Sequence, residues 1–124
     1  MPRILVAEDE PSVQAFVVRA LSAAGHEVQA VADGGQAAHM VMQAGSEGRP
    51  YDLVLTDIVM PVMDGIALAL QVARDEPETK ILLMTGFADQ RERAHRLEAI
   101  VQDILLKPFT LEDLQTAVSR ALDA

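Results

Sequence analysis

The 124-residue sequence has no cysteine and no tryptophan, and its aromatic residues amount to one tyrosine and three phenylalanines. Without cysteine, disulfides, thiolate nucleophiles and cysteine-based zinc sites are excluded. So few aromatics leave an aliphatic core and no stacking platform for single-stranded nucleic acid. Basic residues are scarce as well: ten Lys and Arg against nineteen Asp and Glu give a net charge of −9. That balance argues against nucleic acid as a partner, because phosphate neutralisation needs Lys and Arg, and against anionic membrane surfaces. No apolar run approaches the roughly 20 residues of a membrane span. The opening Met-Pro-Arg-Ile-Leu-Val, followed by Glu8, Asp9 and Glu10, lacks the pattern of a signal peptide. A cytoplasmic protein is expected.

Half of the residues are apolar, enough for one folded domain over residues 1–124 with no output domain expected beside it. Five short apolar runs stand out: Ile4–Ala7, Val28–Val31, Leu53–Leu55, Ile81–Met84 and Ile104–Leu106. All but Val28–Val31, which Gln29 interrupts, are unbroken, which suits strands buried on both faces of a parallel sheet. Helical periodicity separates them. A first helix begins at Ser12, turns Val13, Phe16, Val17, Ala20 and Leu21 inward, and ends at Gly25. A second runs from about Gly35 to Ala44, before a polar loop from Gly45 to Pro50. A third starts near Asp64 or Gly65 and stops before Pro77, and a fourth, the most polar, spans about Ala88 to Ala99. A fifth follows Thr110, an N-cap with Asp113 three residues on. Alternating strands and helices describe an α/β, doubly wound parallel sheet with right-handed crossovers.

In such a sheet ligands bind at the carboxyl edge of the strands. The first strand ends in Glu8-Asp9-Glu10, the third in Thr56-Asp57, the fourth in Thr85-Gly86 and the fifth in Lys107-Pro108. Each segment alone reads as a solvated loop, a cap or a turn. Together they bring carboxylates, a hydroxyl and an ammonium to one edge. Clustered carboxylates raise one another's pKa unless a cation compensates, and magnesium suits carboxylates, a carbonyl, waters and a phosphate. Lys107 is a point charge suited to a phosphoryl oxygen. The inventory matches phosphoryl transfer, with a carboxylate as nucleophile.

With these residues in view, the chain resembles the receiver domain of two-component response regulators over essentially its whole length. The resemblance rests on Ile4-Leu-Val-Ala-Glu-Asp-Glu10, on Tyr51-Asp-Leu-Val-Leu-Thr-Asp-Ile-Val-Met-Pro-Val-Met-Asp-Gly65, on Ile81-Leu-Leu-Met-Thr-Gly86 and on Leu105-Leu-Lys-Pro-Phe109. It implies a flavodoxin-like sandwich with strand order 2-1-3-4-5. It implies Asp57 as phosphoacceptor, Asp9 and Asp57 as direct magnesium ligands, Glu8 as a ligand directly or through water, and the Val59 carbonyl as a third protein ligand. Manganese is an alternative ion. Thr85 and Lys107 would contact the phosphoryl group, and the Val59 and Gly86 amides would complete its cradle. The donor would be a phosphohistidine on a sensor histidine kinase or a histidine phosphotransfer protein. The response would appear on the face of the fourth helix, fifth strand and fifth helix, toward an unknown protein partner, in a monomer or a phosphorylation-dependent dimer.

The sequence departs from the family pattern at several positions. Glu8 stands where Asp is commoner. Ile104 occupies the position of an aromatic switch residue, so a ring flip coupled to Thr85 is not available. Phe87 either takes part in the switch or packs against the sheet edge. Val59 and Phe87, both apolar, would exclude water and slow autodephosphorylation. Arg91, Arg93 and Arg96 leave residues 86–107 neutral within an acidic chain; that helix either docks an acidic surface or is a solvated face with internal charge pairs. The wording of the loops is similar to two groups within the family, alphaproteobacterial single-domain regulators and the receivers of hybrid histidine kinases. A phosphate sink or shuttle would use the same site. A haloacid-dehalogenase-type phosphatase is disfavoured, because Val59 stands where its second Asp is needed. A nucleotide-binding domain is disfavoured by the lack of a glycine-rich loop after the first strand.

Overall fold

The computed structural model describes every residue except Phe87, and every side chain except those of residues 87–89. Five strands alternate with five helices. They are β1 (Arg3–Ala7), α1 (Pro11–Ala23), β2 (Glu27–Val31), α2 (Gly34–Ser46), β3 (Leu53–Asp57), α3 (Gly65–Asp75), β4 (Lys80–Thr85), α4 (Ala88–His95), β5 (Asp103–Leu106) and α5 (Leu111–Asp123). The strands form one sheet in the order β2-β1-β3-β4-β5, and each neighbouring pair is parallel. The order reverses between β1 and β3, and that switch point opens a crevice at the carboxyl edge.

Three of the unbroken runs occupy the middle of the sheet, and the fourth, Ile104–Leu106, lies at its edge in β5. Ile4–Ala7 and all of β3 are buried, as is β4 after Lys80. The period-two alternation of a strand sends neighbours to opposite faces. Ile4 and Val6 join Val17, Leu21, Leu114 and Val118 under α1 and α5. Leu5 and Ala7 join Val41, Leu68 and Val72 under α2 and α3. At the two edges, β2 and β5 keep exposed residues, as strands with one covered side do.

Most helix ends follow their sequence signals. Gly25, at φ 94°, closes α1 in a Schellman motif: its N–H donates to the Ser22 carbonyl and the His26 N–H to the Leu21 carbonyl. Thr110 and Asp113 form the expected capping box. Three boundaries differ from expectation. Pro11, not Ser12, opens α1, because proline's fixed φ suits the first helical position. Helix α2 continues through Gly45 to Ser46; Gly45 lies against the Glu76 carboxylate, and a larger residue there would require that side chain to shift. Helix α4 stops at His95 instead of Ala99. Residues 96–100 continue as tighter turns, with Arg96, Leu97, Glu98 and Ile100 each donating three residues back, and these turns deliver Leu97, Ile100 and Val101 to the core. Phe16, expected inward, is 39% exposed at the surface, where its ring lies 6.2 Å from that of Phe109. Among the histidines, His39 and His95 face solvent, but His26 is half-buried and its Nδ1 has no hydrogen-bond partner among the described residues.

Candidate functional site

Four strand ends build the site. Beyond β1 the Glu8 amide donates to the Val31 carbonyl at 3.1 Å, extending the ladder by one residue. The Gln14 side-chain amide, from α1, donates to the carbonyls of Glu8 and Val31, both at 3.0 Å. This clamp turns the Glu8 side chain inward, where it is 1% exposed. Asp57 ends β3, and its Oδ1 accepts from the Ile58 amide at 2.9 Å. Gly65 opens α3 directly beneath it: a Cβ there would collide with the Asp57 carbonyl oxygen. Lys107 follows β5, and its amide donates to the Thr85 carbonyl at 2.8 Å.

One ammonium partly offsets the carboxylates of this cluster. The Lys107 ammonium donates to Glu8 Oε1 at 2.7 Å and to Asp57 Oδ2 at 3.1 Å. Glu8 Oε2 accepts from the Glu10 amide at 3.1 Å. Burial raises the Glu8 pKa, and the opposing pull of Lys107 and the Glu10 amide does not cancel it. For Lys107 burial works to lower the pKa, but hydrogen bonds to Glu8 and Asp57 outweigh it and the net shift is upward. Glu8, Asp9 and Asp57 each place a carboxylate oxygen within 4.8 Å of the others. This all-oxygen donor set, with Asp9 exposed and the other two buried, fits a hard divalent cation.

Thr85 is fully buried at the end of β4, and its hydroxyl donates to Gln90 Oε1 of α4 at 3.2 Å. Gly86 is exposed; among the described residues a Cβ on it would meet only the Lys107 stem, at ordinary contact distance. Val59 is 54% exposed in the loop after Asp57. Ile104 is half-buried and packs toward the α2–α3–α4 face. Phe87, the candidate switch residue, lies outside the described residues. A cleft of about 440 Å³, lined by Glu10, Val13, Gly86, Lys107, Pro108 and Phe109, opens beside the cluster.

Some contacts were not expected from the sequence. Gln14 and Gln90 are two. Gln90 lies one turn before the buried Ala94 on α4, but a single alanine makes no apolar stripe from which the burial of the glutamine could be read. A third is Asp64, the N-cap of α3, which accepts from the Ala67 amide at 2.8 Å and from Arg93 Nη2 at 3.0 Å. Burial is the largest single influence and raises its pKa, but the hydrogen bonds and the Arg93 charge together outweigh it and the net shift is downward. Arg93 is thus paired across helices, and His95 pairs with Glu98 at 3.0 Å.

A family model described as the response regulator receiver domain matches residues 4–119. The chain belongs to the response regulator receiver family. The receiver is 40% identical to the response regulator receiver protein CpdR of Brucella abortus, covering 100% of this chain and 99% of that one. It is 38% identical to the transcriptional regulatory protein TcrA of Mycobacterium tuberculosis, over 90% of this chain but 42% of that protein. Among solved structures, the receiver domain of sensor histidine kinase PA1611 from Pseudomonas aeruginosa, described with a magnesium ion coordinated in its active-site cleft, superposes with a TM-score of 0.83. It shares 32% identity, over 99% of this chain and 98% of that one. The family places the receiver in two-component signalling. Among the described residues no helix is long and apolar enough to cross a membrane.

Proposed function

We propose that this receiver takes a phosphoryl group onto Asp57 from the phosphohistidine of a sensor histidine kinase or a histidine phosphotransfer protein, and that the acyl phosphate switches a protein-binding surface. The observation that carries this reading is the meeting of Asp57, Glu8 and Lys107 within hydrogen-bond distance at one sheet edge, with Asp9 close enough to share a cation. Asp57 Oδ forms the new P–O bond as the donor's P–N bond breaks, and the electron pair returns to the imidazole nitrogen. Lys107 shifts from Asp57 Oδ2 to a phosphoryl oxygen, keeping its contact with Glu8. Thr85 and the amides of Val59 and Gly86 donate to the remaining oxygens. Glu8, Asp9, Asp57 and the Val59 carbonyl would hold Mg2+ or Mn2+, which when bound neutralises charge on the transferring group. The cleft beside Lys107, with Val13, Pro108 and Phe109 on its wall, receives the donor's imidazole. Val59 limits water at the acyl phosphate, so the phosphorylated state is long-lived.

The output surface is the α4–β5–α5 face, its partner a protein, and the setting cytoplasmic; neither nucleic acid nor membrane is a partner. Residues 1–124 act as one receiver unit. The CpdR likeness favours a regulator that acts as a single domain, and the PA1611 likeness keeps open the receiver module of a hybrid kinase. A sink or shuttle uses the same acceptor without an effector. The test is capture of partners with and without beryllofluoride and Mg2+, with Asp57→Ala as control. A partner that binds in a mimic-dependent manner supports the switch. Reversible phosphotransfer with no such partner would replace it by the sink.

A further inference from the structure

In this chain the usual route from the site to α4 is missing, because Ile104 carries no ring to flip. The structure provides a polar link in the same place. Thr85 and Gln90 are 0% and 7% exposed, and the Thr85 hydroxyl donates to the Gln90 side-chain oxygen at 3.2 Å. A buried amide oxygen left without a donor is costly, so this contact holds α4 to the end of β4. Few other contacts do. Among the described side chains of α4, Gln90 and Ala94 alone are buried, and the only other polar tie drawn from it to a neighbouring helix is Arg93 to Asp64. The same threonine is joined through its carbonyl to the Lys107 amide, one residue's length from the ammonium that bridges Glu8 and Asp57.

A threonine hydroxyl has a single proton. It cannot serve Gln90 and a phosphoryl oxygen in full at once. We propose that Gln90 is the positioning residue that reports the state of Asp57 to α4: it holds the Thr85 hydroxyl in the resting receiver, and it loses that donor when Thr85 turns to the phosphoryl group. This deepens the phosphoacceptor reading and rests on it. The released amide, buried and short of a donor, drives α4 to a new position in which Gln90 finds one. Ile104 then follows α4 by packing. An oxygen acceptor at position 90 thus does the coupling work that a ring performs elsewhere.

The test is a beryllofluoride titration in the presence of MgCl2, followed by fluorine NMR for occupancy at Asp57 and by amide resonances of α4 for the response. Gln90→Leu removes the acceptor, and Gln90→Met does so with a side chain of matching length in case leucine disturbs packing. Both should bind beryllofluoride about fivefold more tightly, the factor one net hydrogen bond is worth. With the mimic bound, their α4 resonances should move less than those of the wild type, because no released amide drives the helix. In a Thr85→Ala background the Gln90 substitutions should change nothing, which an effect on helix packing alone would not produce. Affinity and α4 movement equal to the wild type's in both variants, or an effect that persists without the Thr85 hydroxyl, would overturn the role of Gln90 while leaving Asp57 in place. Failure of the wild-type receiver to bind beryllofluoride would overturn the acceptor reading and the coupling with it.

Discussion

Val62 has the least comfortable backbone among the described residues that are not glycine. Its φ is 71°, a left-handed conformation that costs a β-branched residue about 1–2 kcal/mol. It lies in the loop between Asp57 and α3, 85% exposed, with Cγ1 over Gly35. Nothing in its own contacts requires valine. The loop is held instead by its surroundings: Gly34 donates to the Pro61 carbonyl at 3.3 Å, and a Cβ on Gly34 would collide with the Met63 carbonyl. Val62→Gly is expected to raise unfolding stability by about 1 kcal/mol, the relieved strain exceeding the entropy that glycine loses. Urea unfolding measures it, and an unchanged or lower midpoint would show that the loop carries no strain. At Glu8 the cost lies in the side chain instead: its burial is only partly compensated by Lys107 and by the Glu10 amide.

By its described side chains, α4 is the weakest-anchored of the five helices. The other four bury three to five residues each along their length, whereas α4 relies on Ala94, on Gln90 and on the Arg93–Asp64 pair. Low apolar burial and exposed polar ties mark a segment that opens locally. Amide hydrogen exchange should therefore be faster in α4 than in α1, α2, α3 or α5; protection in α4 equal to that of α5 would contradict this. Its tie to α3 has a pH signature. Asp64 has a folded pKa below the ordinary 3.8. An acid with a lowered pKa adds stability above its unfolded value, and that stability is lost as pH falls through the folded value. The Asp64 side chain is 37% exposed, so solvent screening keeps the charge-dependent part at about 1 kcal/mol or less. Asp64→Asn, which keeps a capping oxygen, should be less stable than wild type at neutral pH and match it well below pH 3.8. Asp64→Ala should lose about 1 kcal/mol more, because the cap itself is gone. Equal stability of wild type and Asp64→Asn at neutral pH would remove the Arg93 contribution.

The sheet and the cluster of polar residues at its edge could be read from the sequence because both depend on local patterns. Unbroken apolar runs mark strands covered on both faces, as β1, β3 and β4 are. Parallel strands all end on one edge, so Glu8, Asp57, Thr85 and Lys107 could be brought together before any distance was known. The partners of Thr85 and Asp64 could not. Gln90 meets Thr85, and Arg93 meets Asp64, only once α4 has been laid across the sheet, and the placement of so polar a helix has little apolar periodicity to announce it. The end of α4 was misjudged for the same reason: Leu97, Ile100 and Val101 follow the core rather than an ideal helical repeat. The −9 charge also resolves into parts, with two buried carboxylates held by Lys107 and the rest largely solvated. The central claim concerns Asp57. Incubation with a small phosphoryl donor and Mg2+, followed by intact mass and peptide mapping, tests it most directly. The account predicts a single acyl phosphate on Asp57 that requires the divalent ion and is absent in Asp57→Ala. A phosphoryl group on another residue, or one formed equally in Asp57→Ala, would contradict it.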